Sequence, residues 1–120
     1  MIAALAVAGG AVVGAPLRYL VDRAVQSRHD SRFPFGTLMV NLVACLILGF
    51  VAGIADLSPT LLALLGTGLC GTLSTYSTYA FETFRLGEDG EWWPSVLNVV
   101  ASVSLGLGLA SVGVWLGGLL

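Results

Sequence analysis

Charge is what this chain has least of. Only 10% of its residues are charged, against about 25% in an ordinary soluble domain. The deficit comes in blocks: residues 1–17, 33–55, 57–81 and 92–120 contain no Asp, Glu, Lys or Arg. With a net charge of -2 and no basic cluster, the chain has no surface for nucleic acid. Histidine is nearly absent as well. His29 is the one copy, and nothing around it or around Cys45 and Cys70 has metal-ligand spacing. Both cysteines fall in the middle of apolar runs and read as small packing residues. No nucleophile–base pair and no phosphate-cradling loop is present, so the sequence gives no support to an enzyme. The first apolar block has neither leading basic residues nor a small-residue cleavage site. It is expected to be a retained helix and not a signal peptide.

What fills the space is apolar. The chain is 57% hydrophobic, with mean hydropathy +0.93. A membrane helix needs roughly 20 consecutive apolar residues, and four spans qualify, at about 3–21, 35–55, 60–84 and 94–118. The expected architecture is all-α and integral to the membrane, a single domain over 1–120. Asp22, Arg23, Arg28, His29, Asp30 and Arg32 occupy the first connection. Asp56-Leu57-Ser58-Pro59 makes a tight turn, with Ser58 as helix cap and Pro59 in the first turn. Trp92 and Trp93 follow the last loop, where indole rings settle at the membrane interface. An even number of spans puts both termini on one side. The opposite loops carry Arg23, Arg28, Arg32 and Arg85, so by the positive-inside rule they face the cytoplasm. Glycine pairs at four-residue spacing, Gly10/Gly14, Gly49/Gly53 and Gly113/Gly117, predict close helix–helix packing. So short a four-helix chain encloses little interior, and oligomerisation is the expected way to close off a polar path.

That polar path is the remaining puzzle. Residues 71–79 read Gly-Thr-Leu-Ser-Thr-Tyr-Ser-Thr-Tyr inside the third span. An unmet polar group in hydrocarbon costs several kcal/mol, on the order of 2–7, so such a run faces protein or a watery route. Thr67, Gly71, Ser74, Thr75, Thr78 and Glu82 share one face if the helix is continuous. Asn41 interrupts the second span, Asn98, Ser102, Ser104 and Ser111 the fourth, and Arg18 stands near the end of the first. Singly, each has a plainer role: hydroxyls bond back one turn, Asn41 links helices, Arg18 snorkels to headgroups. Together they offer neutral donors, a basic entrance and no mid-membrane acid. Cation paths and proton-coupled antiporters rely on such an acid. A small anion needs only weak donors and positive ring edges, which Tyr76 and Tyr79 supply.

Certain stretches then match a known pattern. Gly9-Gly10-Ala11-Val12-Val13-Gly14-Ala15-Pro16-Leu17-Arg18-Tyr19 is similar to GGxxGAxxRY, with one residue more between Gly10 and Gly14. Phe33-Pro34-Phe35-Gly36-Thr37-Leu38-Met39-Val40-Asn41 is similar to FPxGTLxVN, and residues 71–79 to GGxTTFSTF. In these motifs, their order and their spacing, the chain resembles the Fluc/CrcB family of bacterial fluoride channels over nearly its full length. The resemblance implies a multi-pass protein of the bacterial inner (plasma) membrane. Its four-helix subunit has a broken third helix and pairs antiparallel, dual-topology fashion, with a second Fluc-type subunit. Fluoride would leave the cytoplasm passively along two pathways. Asn41 corresponds to the pore asparagine, Tyr76 and Tyr79 to two phenylalanines whose ring edges contact fluoride, Ser77 and Thr78 to neighbouring hydroxyls, and Arg18 to the vestibule arginine. Backbone carbonyls of Gly71 and Ser74 would hold a structural sodium ion on the dimer axis.

The chain departs from the pattern at some positions. Tyrosines stand at both phenylalanine positions, Ser74 replaces threonine, and Thr72 and Ala44 replace glycines. The tyrosines raise the alternative of a heterodimer partner whose own pathway does not conduct. The one-sided arginines point the same way, because a fixed orientation requires an oppositely inserted partner. A small multidrug antiporter is a further four-helix class of this size. It needs a membrane-embedded acid, and residues 1–17 contain none.

Overall fold

The computed structural model describes residues 1–28 and 33–120. His29, Asp30 and Arg32 of the first connection lie outside the described residues. Helix α1 runs Ile2–Arg28 and helix α2 Phe35–Gly53. A single turn, α3, spans Pro59–Leu62 and leads into a π-helical stretch, Ala63–Cys70, and another short turn, α4, Gly71–Leu73. Helix α5 covers Tyr76–Glu88 and α6 Trp92–Gly118. Among the described residues, α1, α2 and α6 are long and apolar enough to cross a membrane. The long axis of the molecule is 47 Å, a match to the roughly 40–45 Å of a bilayer with its headgroups. The chain is an all-α, multi-pass membrane protein.

Local sequence explains most of the boundaries. Helix α1 continues past Val21 through Asp22, Arg23 and Gln26 because nothing between Leu17 and Arg28 breaks a helix. Charge ends the apolar part of the segment without ending the helix. The protruding end is tied back by the Gly36 amide, which donates to Gln26 Oε1 at 3.3 Å. Before α3, Ser58 Oγ accepts from the Leu61 amide at 3.2 Å, with Pro59 in the first turn where its missing N–H costs nothing.

Glycines set the packing. A Cβ on Gly10 would run into the Leu64 carbonyl, and one on Gly68 into the Val7 carbonyl, so α1 lies backbone to backbone on the π-helical stretch. A Cβ on Gly49 would meet Ala110 O, one on Gly53 Val114 O, one on Gly113 Leu46 O and one on Gly117 Phe50 O. The glycine pairs of α2 and α6 therefore face each other, the close approach small residues permit in lipid. The buried core is a cluster of Val40, Ala44, Cys70 and Leu73, flanked by Val21 and Ile47. Beyond it the surface is apolar: only 11% of the most hydrophobic window of α6 is buried. A solvent of hydrocarbon, or a second protein surface, suits that exterior.

Candidate functional site

Between Leu73 and Tyr76 the backbone leaves the helix. Ser74 has φ -79°, ψ 159° and Thr75 φ -149°, ψ 125°. Both are extended, so the helical ladder is interrupted here and the Thr75 peptide must find other partners in a medium without water. The Asn41 side chain meets the need at Thr75. The Thr75 amide donates to Asn41 Oδ1 at 2.7 Å, and Asn41 Nδ2 donates to the Thr75 carbonyl at 3.0 Å. A carboxamide carries one acceptor beside one donor group, so it pairs with a peptide as a neighbouring strand would. Thr75 Oγ1 then accepts from the Thr78 amide at 3.4 Å and caps α5.

These bonds redirect donors. In an unbroken helix the Thr75 amide would serve the Gly71 carbonyl and the Thr78 amide that of Ser74. Here both amides are engaged elsewhere. Ser74 itself still bonds back, its amide and Oγ both donating to Cys70 O at 3.0 and 2.8 Å. The Gly71 and Ser74 carbonyls are thus left as oxygen acceptors without their helical donors. Such oxygens suit a hard cation, and a Cβ on Gly71 would meet nothing within 4 Å. Among the described residues no cluster of His, Cys, Asp and Glu offers a competing metal site.

Beside the break lies a cleft of about 200 Å³ lined by Arg18, Tyr19, Asp22, Thr37, Thr75 and Thr78. It shares Asp22 and Thr78 with a larger open cleft of about 510 Å³, whose wall includes Gln26, Phe81, Glu82 and Arg85. The structure therefore brings Arg18 and Thr78 together, next to the peptide that Asn41 holds. It also adds a residue the sequence reading passed over. Thr37 Oγ1 donates to Glu82 Oε1 at 2.7 Å, joining α2 to α5. Thr37 sits one turn before Asn41 on the same face of α2, and that spacing was the available signal. The lining is not free of acid at its mouth, where Asp22 and Glu82 stand among the arginines.

Tyr76 and Tyr79 lie apart from this group. Their ring centroids are 5.9 Å apart with planes inclined by 48°. They line a different cleft, of about 600 Å³, with Thr83, Phe84, Trp92 and Ser95. Tyr76 is 80% exposed. Ser77 is exposed and lines none of these clefts. One chain by itself does not join the tyrosines to Asn41 and Arg18.

The single polar face expected from Thr67 to Glu82 does not survive, because its 3.6-residue period is broken twice. The π-helical stretch rotates the side chains before Gly71, and the extended pair resets them after Leu73. Other hydroxyls have the plain role. Thr72 Oγ1 donates to Gly68 O at 2.7 Å, Thr83 Oγ1 to Tyr79 O at 2.8 Å and Ser111 Oγ to Leu107 O at 2.8 Å. Asn98, 1% exposed, donates from Nδ2 to Thr83 Oγ1 at 2.7 Å, and Ser95 Oγ donates to Thr83 O at 2.8 Å. These bonds fasten α6 to α5. Ser102 Oγ is buried with no partner among the described residues, and Ser104 is exposed.

Comparison with known proteins places this arrangement. Residues 5–114 match the model of the family described as CrcB-like protein, Camphor Resistance (CrcB). The chain belongs to the CrcB-like family. A protein of Streptomyces avermitilis, Fluoride-specific ion channel FluC 1, is 54% identical over 114 residues, 92% of each chain. A Frankia casuarinae protein of the same description is 52% identical over 117 residues, 91% of each chain. Fluoride-specific ion channel FluC 2 of Mycobacterium tuberculosis is 46% identical over 104 residues, covering 87% of this chain and 82% of its own. At such identity the CrcB-like relatives share the fold and, like them, the chain is no enzyme.

Proposed function

We propose that this chain is a subunit of a fluoride-selective channel in the bacterial plasma membrane and lets cytoplasmic fluoride run out passively. The relatives that cover nearly the whole chain are named as fluoride-specific ion channels. The observation that carries the reading is the separation of the two halves of the candidate pathway. Arg18, Thr75 and Thr78 open on one side of α5, and Tyr76 and Tyr79 on another. A second subunit laid antiparallel on this face would set its tyrosines against the first subunit's cleft and close a pathway on each side of the pair. In that pathway hydroxyls, the Asn41 amide and tyrosine ring edges replace the water around a small anion, while Arg18 and Arg85 raise its concentration at the mouth. Ser77 and Thr78 would contribute the neighbouring hydroxyls.

A structural sodium ion fits the freed carbonyls of Gly71 and Ser74. Two oxygens per chain are too few for a hard cation, so the same pair from a second subunit would complete the set. When bound, the ion would supply positive charge where two broken helices meet.

Purified protein in liposomes is expected to release fluoride when a gradient is applied, and Asn41→Asp to reduce that release about tenfold or more. Absence of release, both from the chain alone and from the chain co-produced with a related subunit, would defeat the proposal. A second reading, in which the chain is a heterodimer partner with a closed pathway of its own, is favoured by the phenol of Tyr76 and by Arg23, Arg28 and Arg85 lying toward one side. Relatives numbered FluC 1 and FluC 2 accord with it. Here the chain alone stays silent and conducts only when paired.

A further inference from the structure

The Asn41 side chain is held before any anion arrives. Its Oδ1 is occupied by the Thr75 amide and one Nδ2 hydrogen by the Thr75 carbonyl. Of its polar valences for an anion, one N–H remains. Yet the same pair of bonds has a consequence a whole turn away. The Thr75 amide that Asn41 engages is the donor the Gly71 carbonyl would otherwise receive. If Asn41 releases it, the shortest route to satisfaction in hydrocarbon is for the chain to rewind, with Thr75 N returning to Gly71 O. The cation site would then lose an oxygen.

We infer that Asn41 is a positioning residue for the cation site: its side chain latches the Thr75 peptide and so keeps the Gly71 and Ser74 carbonyls free to bind sodium. The latch reaches from α2 to the break, whereas the cap from Thr75 Oγ1 to the Thr78 amide is local and holds Ser74 O free from the other side. Thr75 is thus clamped from both directions, by α2 through its peptide and by α5 through its hydroxyl. The surroundings favour a fixed arrangement. Val40 beside Asn41 is 1% exposed and packs with Cys70 and Leu73, which carry the chain into the break. Sodium binding and latch closure are then one equilibrium. Sodium tightens the Asn41–Thr75 pair, and loss of the pair weakens sodium by the same factor.

This inference rests on the sodium part of the proposed function, and the experiment separates the two. Thermal unfolding of purified protein in detergent is followed across a sodium series, with potassium replacing sodium to hold ionic strength. Wild-type protein is expected to gain stability with sodium. Asn41→Leu can neither accept from the Thr75 amide nor donate to the Thr75 carbonyl, so it removes both bonds of the latch. It should raise the half-effective sodium concentration about tenfold, the factor set by about 1.4 kcal/mol. Thr83→Val, which removes the Asn98 bond between α5 and α6, should lower stability without moving that sodium concentration. An unchanged sodium midpoint in Asn41→Leu overturns the inference, even if fluoride release falls. A sodium midpoint that moves in Asn41→Leu while neither pairing conducts fluoride supports the latch and defeats the channel. Where Asn41→Leu does not fold, the wild-type protein decides alone. Hydrogen exchange at the Thr75 amide should slow as sodium rises, and exchange indifferent to sodium overturns the latch.

Discussion

The two halves of α2 hold their neighbours by opposite means. The second half presents Gly49 and Gly53, which have no side chains and lie against the carbonyls of Ala110 and Val114 on α6. The first half presents Thr37 and Asn41, whose polar groups bond to Glu82 and to the Thr75 peptide. In lipid neither contact draws on water expulsion between apolar surfaces. The glycine half gains from dispersion at short range and fixes distance alone. The polar half gains from meeting groups that would otherwise be orphaned, and it fixes orientation as well. One helix therefore carries a rigid seam at one end and a chemically addressed seam at the other, and the candidate pathway lies at the second.

The strongest way to break the comparison is to give the glycine seam a side chain. Gly49→Val places a Cβ against the Ala110 backbone, where no rotamer change relieves it. The helices must separate, and the expected cost is about 3 kcal/mol or more. Loss of a monodisperse species in size-exclusion chromatography would report it. Gly108→Ala is the control, because nothing lies within 4 Å of the Cβ it would gain. It should change stability by no more than about 0.5 kcal/mol. Equal damage from both would mean that glycine matters here for flexibility and not for approach.

Thr37→Val tests the polar seam with little change of volume. It removes the hydroxyl that donates to Glu82 at 2.7 Å and leaves a partly buried carboxyl oxygen unmatched. A loss of about 1–2 kcal/mol is expected in detergent unfolding, with Thr37→Ser recovering most of it. The variant should leave the α2–α6 contact intact, so cysteine pairs introduced across that contact should crosslink as in the parent. Thr37→Val as stable as Thr37→Ser would show that the bond is not maintained in solution.

The two seams also differ in how far the sequence announces them. Glycines at four-residue spacing mean close approach wherever they occur in an apolar helix, so Gly10/Gly14, Gly49/Gly53 and Gly113/Gly117 could be read without a partner in view. Ser58 could be read as a cap for the same reason, since its target lies a turn ahead. The polar seam is different because its partners are distant in sequence. Thr37 finds Glu82 and Asn41 finds Thr75 only after three segments have packed. The hydroxyl-rich motif showed that something polar happens near residues 71–79, but a uniform helical period placed Thr67 on the same face as Glu82. Neither the π-helical stretch nor the extended pair follows from local propensity, and Asn41 supplies from elsewhere what makes the extended pair affordable. The extension of α1 to Arg28 was hidden for a simpler reason: charge marks the edge of hydrocarbon and not the end of a helix.

The smallest structural effect and the sharpest functional question meet at Tyr76 and Tyr79. Neither hydroxyl makes a hydrogen bond among the described residues, and Tyr76 is 80% exposed. Replacing both by phenylalanine should therefore alter the unfolding free energy by less than about 0.5 kcal/mol. The ring edges that would face an anion are kept, while two phenol oxygens and their bulk are removed from the cleft shared with Thr83, Trp92 and Ser95. If these rings narrow the pathway, fluoride release from the assembled channel rises in the double variant while its stability stays put. That divergence would locate the tyrosines on the ion's route and outside both seams of α2. Release that is unchanged would instead place them against lipid or a partner surface, and the pathway would have to be drawn through the Arg18 cleft without them.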